Sequence, residues 1–128
     1  MGIQAISTAL ADVLEDLNIN LYDYGPDAMQ PPAAYIYPEN VQFNVVAPTG
    51  VDEATWIIRI LAASTNTQGG QTQLNDLIDA AVPAISDANT LNDVVQSAIV
   101  REMRNYGVLQ LPDTTRYYAA DLVVGILV

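Results

Sequence analysis

The chain has 128 residues, 51% of them hydrophobic and only 15% charged, and its 15 carboxylates against four arginines give a formal net charge of −11. Lysine, histidine and cysteine are absent. These absences exclude thiolate nucleophiles, Ser-His-Asp triads, zinc fingers, haem ligation, Schiff bases and a Walker-A phosphate clamp, and four cations are too few for tight nucleic-acid binding, which rests on neutralising phosphates.

The length suits one domain over residues 1–128, large enough to bury a core without staples. Without cysteine there is no disulfide, so redox compartment leaves no mark. The opening MGIQAISTALADVLEDL lacks the basic region of a secretory signal. The longest apolar stretch, residues 117–128, is interrupted by Asp121 and is too short to span a bilayer, so no membrane association is expected. The composition reads as a soluble, acidic, intracellular or particle-bound protein.

Ile3, Ile6, Leu10, Val13, Leu14 and Leu17 recur at spacings of three and four, which predicts an amphipathic helix with one buried face. Asn18 and Asn20 mark its end. Glu15 and Asp16 fall at the C-terminal end, where the helix macrodipole disfavours anions. They read as a solvated face at a small cost, or as a seat for a cationic partner.

Ile19, Leu21 and Tyr22 suggest a short extended piece. Gly25-Pro26 and Pro31-Pro32 then punctuate an irregular loop, and residues 33–37 read as a strand closed by Pro38. The nearby Tyr22, Tyr24, Tyr35 and Tyr37 are expected to pack their rings and hydrate their hydroxyls rather than stack on a ligand. Residues 39–53 admit two readings, an edge strand with a turn or a long loop carrying apolar side chains. Long loops in compact domains are usually functional or disordered. Exposed there, Phe43, Val45 and Val46 would form a contact patch for another subunit.

Residues 54–63 are apolar on both alternating faces, as a central strand requires. Arg59 is the exception and is expected to pair with a carboxylate. STNTQGGQTQ reads as a turn containing the flexible Gly69-Gly70. A second helix is predicted over residues 71–82 with Leu74, Leu77, Ile78 and Ala81 inward, broken or restarted at Pro83 and followed by a further turn over 84–89. From Asp93 the period becomes two. Residues 95–105 read as an edge strand or one with a wet face. Tyr106-Gly107 and residues 112–115 bracket 108–111 as turn signals, which places a hairpin there. Residues 117–127 form the last strand, with Tyr118, Ala120, Leu122, Val124, Ile126 and Val128 on its core face. The expected architecture is α+β, a mostly antiparallel sheet of about four strands with two main helices packed on one face.

Chemical motifs are sparse. Residues 87–93 offer acidic side chains at a spacing close to that of a calcium loop, but the glycine at its sixth position and the glutamate at its twelfth are missing, which leaves a helix-to-turn connector. Gly69-Gly70 lacks the remainder of a phosphate-binding fingerprint. Asp12, Asp16, Asp23, Asp27 and Asp121 are available for two-carboxylate chemistry, yet nothing in the sequence brings two into a cleft. No enzyme activity, metal site or cofactor is expected. Three of the four arginines, Arg101, Arg104 and Arg116, lie on or beside the C-terminal hairpin. They either pair within the sheet or reach an acidic surface on a neighbouring copy.

The whole-chain layout resembles the tail terminator, or tail completion, proteins of long-tailed bacteriophages, particularly those of actinobacterial phages. The resemblance is carried by AISTALADVLEDL at 5–17, PDAMQPPAAYIYP at 26–38, WIIRIL at 56–61, RNYGV at 104–108 and the final strand. It implies a homo-oligomeric, six-fold ring on the end of the tail tube, located at the head-tail junction of the virion after assembly in the host cytoplasm. The implied partners are the tail tube protein and a head-completion or neck protein, and DNA passes through without specific binding. It also implies that the loop at 39–53 takes part in subunit or tube contacts, and it carries over no active site. A head-completion or neck connector is the nearest alternative, and a small monomeric peptide- or ligand-binding module the more distant one. A charge-poor surface suits protein–protein packing, and a ring of such chains would present DNA with a negative bore.

Overall fold

A computed structural model of the chain describes residues 2–22, 31–42, 53–63, 67–110 and 116–127. The stripe of Ile6, Leu10 and Leu14 is the side that α1 (Ile3–Val13) and the turn after it press onto a sheet. The sequence pattern ran this helix to Leu17. The structure ends the α-helix at Val13, tightens Glu15–Leu17 into a 3-10 turn and stops at Asn18, which is left-handed at φ 56°. Tightening of the last turn is a common helix ending, and asparagine tolerates the left-handed conformation.

The strands are β1 (Asn20–Tyr22), β2 (Ala33–Gln42), β3 (Glu53–Leu61), β4 (Ser97–Gln110) and β5 (Arg116–Leu127), with α2 (Thr67–Asp87) between β3 and β4. They form one sheet in the order β1-β2-β3-β5-β4. The expected four strands are therefore five. The addition is the short piece at Asn20–Tyr22, which pairs parallel with β2, whereas the remaining neighbours are antiparallel. A three-residue edge strand carries no periodicity of its own, and its pairing is settled by the strand beside it.

Four further boundaries differ from expectation. Pro38 does not close β2, which shifts register between Pro38 and Asn40 and continues to Gln42. Among the described residues β1 flanks only Ala33–Tyr35, so at Pro38 no described strand lies on that side, where a missing N–H is tolerated. Gly69-Gly70 belongs to the first turn of α2 rather than to a flexible loop. Pro83 sits exposed inside α2 and neither breaks nor restarts it. Tyr106-Gly107 is likewise no turn. β4 passes through it with an irregularity between Arg104 and Gly107, where Asn105 adopts φ 56°, and runs on to Gln110 opposite Arg116.

Both helices lie on one face of the sheet, as expected. Trp56, Ile58 and Ile60 of β3 and Leu122, Val124 and Ile126 of β5 point at Ile6, Leu10, Leu14, Leu74 and Ile85. The Trp56 indole N–H donates to the Ser7 hydroxyl at 2.9 Å, which satisfies two buried polar groups and pins α1 to the central strand. α1 packs over β2, and α2 over β3, β5 and β4. The connector after α2 turns left-handed at Leu91, Asn92 and Asp93, anchored by the fully buried Leu91.

Candidate assembly surface

Alternation sends every second residue of the central strands to the other face of the sheet, which carries no helix among the described residues. Ile57 of β3 and Val123 of β5 pair there and are buried at 1% and 3% exposure. One step along the strands, Arg59 lies opposite Asp121. The Arg59 guanidinium donates through Nε to Asp121 Oδ1 at 2.8 Å and through Nη2 to Oδ2 at 3.1 Å. The side-chain amide of Asn105 donates to the same Oδ2 at 3.0 Å. The left-handed backbone at Asn105 therefore sits where its side chain reaches a buried carboxylate.

Burial pushes the Asp121 carboxyl upward, but the hydrogen bonds from Arg59 and Asn105 and the charges of Arg59 and Arg104 outweigh it and hold the group below the ordinary carboxylate value. Arg59 is raised, chiefly by its hydrogen bond to Asp121. Nearby, the Tyr35 and Tyr37 rings meet at 4.9 Å, and burial raises the Tyr37 phenol. This is the ring packing the sequence led us to expect, and Tyr24 lies outside the described residues.

Arg104 extends the network across the sheet. Its Nε donates to Glu102 at 2.8 Å, and its Nη1 reaches Glu39 at 3.4 Å. Glu39 is on β2 and Arg104 on β4, with β3 and β5 between them. Three inter-strand steps amount to about 14 Å, so the two side chains lie flat and strap the face.

The β4 edge carries protections usual for an edge, the charged Arg101, Glu102 and Arg104 and two register irregularities. It is fourteen residues long and borders only β5 among the described residues. Ile99, Met103, Tyr106 and Val108 stand 57%, 47%, 37% and 58% exposed along it. Tyr106 alone is tethered, its hydroxyl donating to Asn75 of α2 at 2.8 Å.

Charge is segregated between the layers. Asp12, Glu15, Asp16, Asp76, Asp79, Asp87 and Asp93 are all exposed on the helices and the turn after α2, with no cation among them. The chain's four arginines all lie on β3, β4 and β5. Arg59 and Arg104 are paired as described; Arg101 and Arg116 are exposed and have no carboxylate partner among the described residues. Arg101 is the extra residue at the register shift between Val100 and Glu102. Its guanidinium lies against Gly125 of β5, where a Cβ would collide with it.

Of the expected contact residues, Phe43, Val45 and Val46 lie outside the described residues. Arg101, Arg104 and Arg116 share the β4–β5 hairpin but are strung along it, Arg116 opposite Gln110, Arg104 opposite Asp121 and Arg101 beside the Val100–Val124 pair. The candidate carboxylates are not: Asp12 and Asp16 lie on the helix side, Asp121 on the opposite face, and Asp23 and Asp27 outside the described residues. Asn105 and Glu39 had no sequence signal. Asp121 had one, because it and Arg59 are the single charges within two apolar runs, of opposite sign. No helix among the described residues is long and apolar enough to cross a membrane.

No protein-family model matches the sequence, and no curated protein matches it. Among solved structures, the fold is similar to that of a chain in the virion of a native gene transfer agent particle. The TM-score is 0.53 at 14% sequence identity, over 98% of this chain and 92% of that one. At that identity the likeness is one of fold, and it spans both chains almost end to end.

Proposed function

We propose that this chain is a structural protein of a phage-like virion, and within that class a tail terminator. It assembles as a six-fold ring on the finished tail tube, ends tube growth and offers the docking surface for the head or neck. The observation that carries this reading is the end-to-end fold likeness to a chain of a virion particle. The exposed apolar side chains of β4 and the charge segregation support it, because both suit a chain that works against other protein surfaces. The mechanism is interface masking: bound to the last tube ring, the protein buries the surface the next ring needs. It involves no catalysis and no cofactor. The acidic outer side of α2, with Asp76, Asp79 and Asp87, is the surface suited to face DNA in transit, since it repels phosphate.

The test is cell-free. Purified protein added to polymerising tail tube subunits should cap growth and shorten the tubes in proportion to the dose. Unchanged tube lengths would overturn the terminator assignment. Unchanged lengths together with binding to head-side connector proteins would move the chain to the neck.

A further inference from the structure

Resting on the reading that this chain works against other virion proteins, we infer that the hollow over Gly125 is a seat for a side-chain carboxamide, an Asn or Gln of a partner protein. Gly125 is the one residue of β5 without a side chain, and it faces the side of the sheet away from the helices. Thr55 pairs with it from β3, and Glu53 pairs with Leu127 two residues on. Across the next ladder Asn40 lies opposite Thr55 and Gln42 opposite Glu53. Arg101 closes the other side. It is the extra residue at a register shift of β4, and its guanidinium lies over Gly125 in the space a Cβ would take. The side chains of Asn40, Gln42, Glu53, Thr55 and Arg101 line a cavity of about 100 Å³, room for one small polar group.

Charge narrows the occupant. The wall holds one cation, Arg101, and one anion, Glu53, and they form no ion pair. Glu53 stands one strand and two residues from Gly125, an offset of about 5 Å across and about 7 Å along the sheet. None of the five side chains has a hydrogen-bond partner among the described residues. A monoanion drawn to Arg101 is repelled by Glu53, and a monocation meets the reverse. A carboxamide carries no charge. Its carbonyl accepts from the guanidinium, its NH2 donates to the carboxylate, and Asn40, Gln42 and Thr55 each serve as donor or acceptor. It also costs less to desolvate than a charged side chain when a contact closes over it.

A free α-amino acid carries both charges and would answer the same two groups. The surroundings favour a protein instead. Ile99 pairs with Gly125 from β4 and stands 57% exposed beside the hollow. A chain seated there buries that side chain as well, which joins an apolar contact to a polar anchor.

The probe is N-acetyl-glutamine methylamide, compared with its glutamate and lysine counterparts and with free glycine. Titration of the full chain is followed by NMR at the Gly125 and Thr55 amides, the Arg101 Nε–H and the side-chain amides of Asn40 and Gln42. The glutamine probe is expected to give saturable shifts at these groups. The glutamate and lysine probes should bind at least about tenfold more weakly, the scale of one hydrogen bond to a charged group. Arg101→Met and Glu53→Gln should each weaken the glutamine probe about tenfold. They should also move the preference in opposite directions, Glu53→Gln towards the glutamate probe and Arg101→Met towards the lysine probe. A merely structural role would leave that preference unmoved. Gly125→Ala should abolish binding by displacing the guanidinium. Circular dichroism checks its fold, and the two variants at exposed positions decide the matter if it fails to fold.

No saturable shift with the glutamine probe, a glutamate or lysine probe that binds wild type as well, glycine that binds more tightly, or variants that keep the wild-type preference would each overturn the inference. Tube capping reads the two proposals apart. Probe binding with unchanged tube lengths removes the terminator assignment and leaves the seat. Capping without probe binding does the reverse.

Discussion

The two faces of β3 and β5 are made by the same residues in alternation, yet they hold together by different physics. On the helix-covered face, Trp56, Ile58, Ile60, Leu122 and Val124 meet helix side chains in a hydrocarbon layer with one internal hydrogen bond, from Trp56 to Ser7. On the other face, Ile57 and Val123 lie beside Arg59, Asp121 and Asn105 and beneath the reach of the Arg104–Glu39 pair. The first face draws its stability from burial, which is non-directional. The second depends on geometry, because a buried carboxylate is tolerated only while its partners stay in place. Stability and a defined surface are thus assigned to opposite sides of one pair of strands.

The largest effect should come from the first face. Trp56→Ala removes the largest fully buried side chain and strands the Ser7 hydroxyl. A loss of about 3–5 kcal/mol is expected, read as a lower urea midpoint. A loss no greater than that of an exposed substitution would show that the helix layer is not the main source of stability.

Asp121→Asn sharpens the contrast. It leaves the Arg59 guanidinium, 31% exposed, beside a neutral amide, at an expected cost of roughly 2–4 kcal/mol. Replacing both partners with apolar residues, Arg59→Met with Asp121→Leu, should cost much less, because no uncompensated charge remains. If the double variant is as unstable as the single one, the pair is more than a mutual neutraliser. The same group sets a pH dependence. Its folded value lies below the ordinary carboxylate value, so its contribution is fully present above the unfolded value near pH 4 and is lost as pH falls through the folded value. Asp121→Asn should therefore flatten the acid limb of a stability–pH profile, which equilibrium unfolding at stepped pH measures.

The smallest effect is expected at the strap. Arg104→Ala removes two exposed ion pairs, and such pairs contribute little in water. The urea midpoint should stay at the wild-type value while amide exchange quickens at Asn105, the neighbour whose conformation the strap borders. A large fall in the midpoint would mean that the second face is held by its surface rather than by Asp121.

The periodicities of three to four and of two were strong enough to place both helices, the central strand and the last strand from residues alone. Leu10 and Leu14, and Trp56, Ile58 and Ile60, announce their faces by spacing. Arg59 announced a carboxylate partner by being the one charge in an apolar run. The punctuation marks were less reliable. Pro38, Gly69-Gly70, Pro83 and Tyr106-Gly107 all look like breaks, and the chain passes through each because the surrounding strand or helix continues past it.

The sequence by itself determined the layering, the absence of cations from the helices and the clustering of three arginines near the C-terminal hairpin. These follow from residue type and period, which are local. Tertiary structure alone decided that β1 joins the sheet parallel to β2, that Asn105 joins the Arg59–Asp121 pair, and that β4 ends the sheet on the side opposite β1. Each of these depends on which strands become neighbours, and strand order is set by how the whole core packs, not by any segment within it.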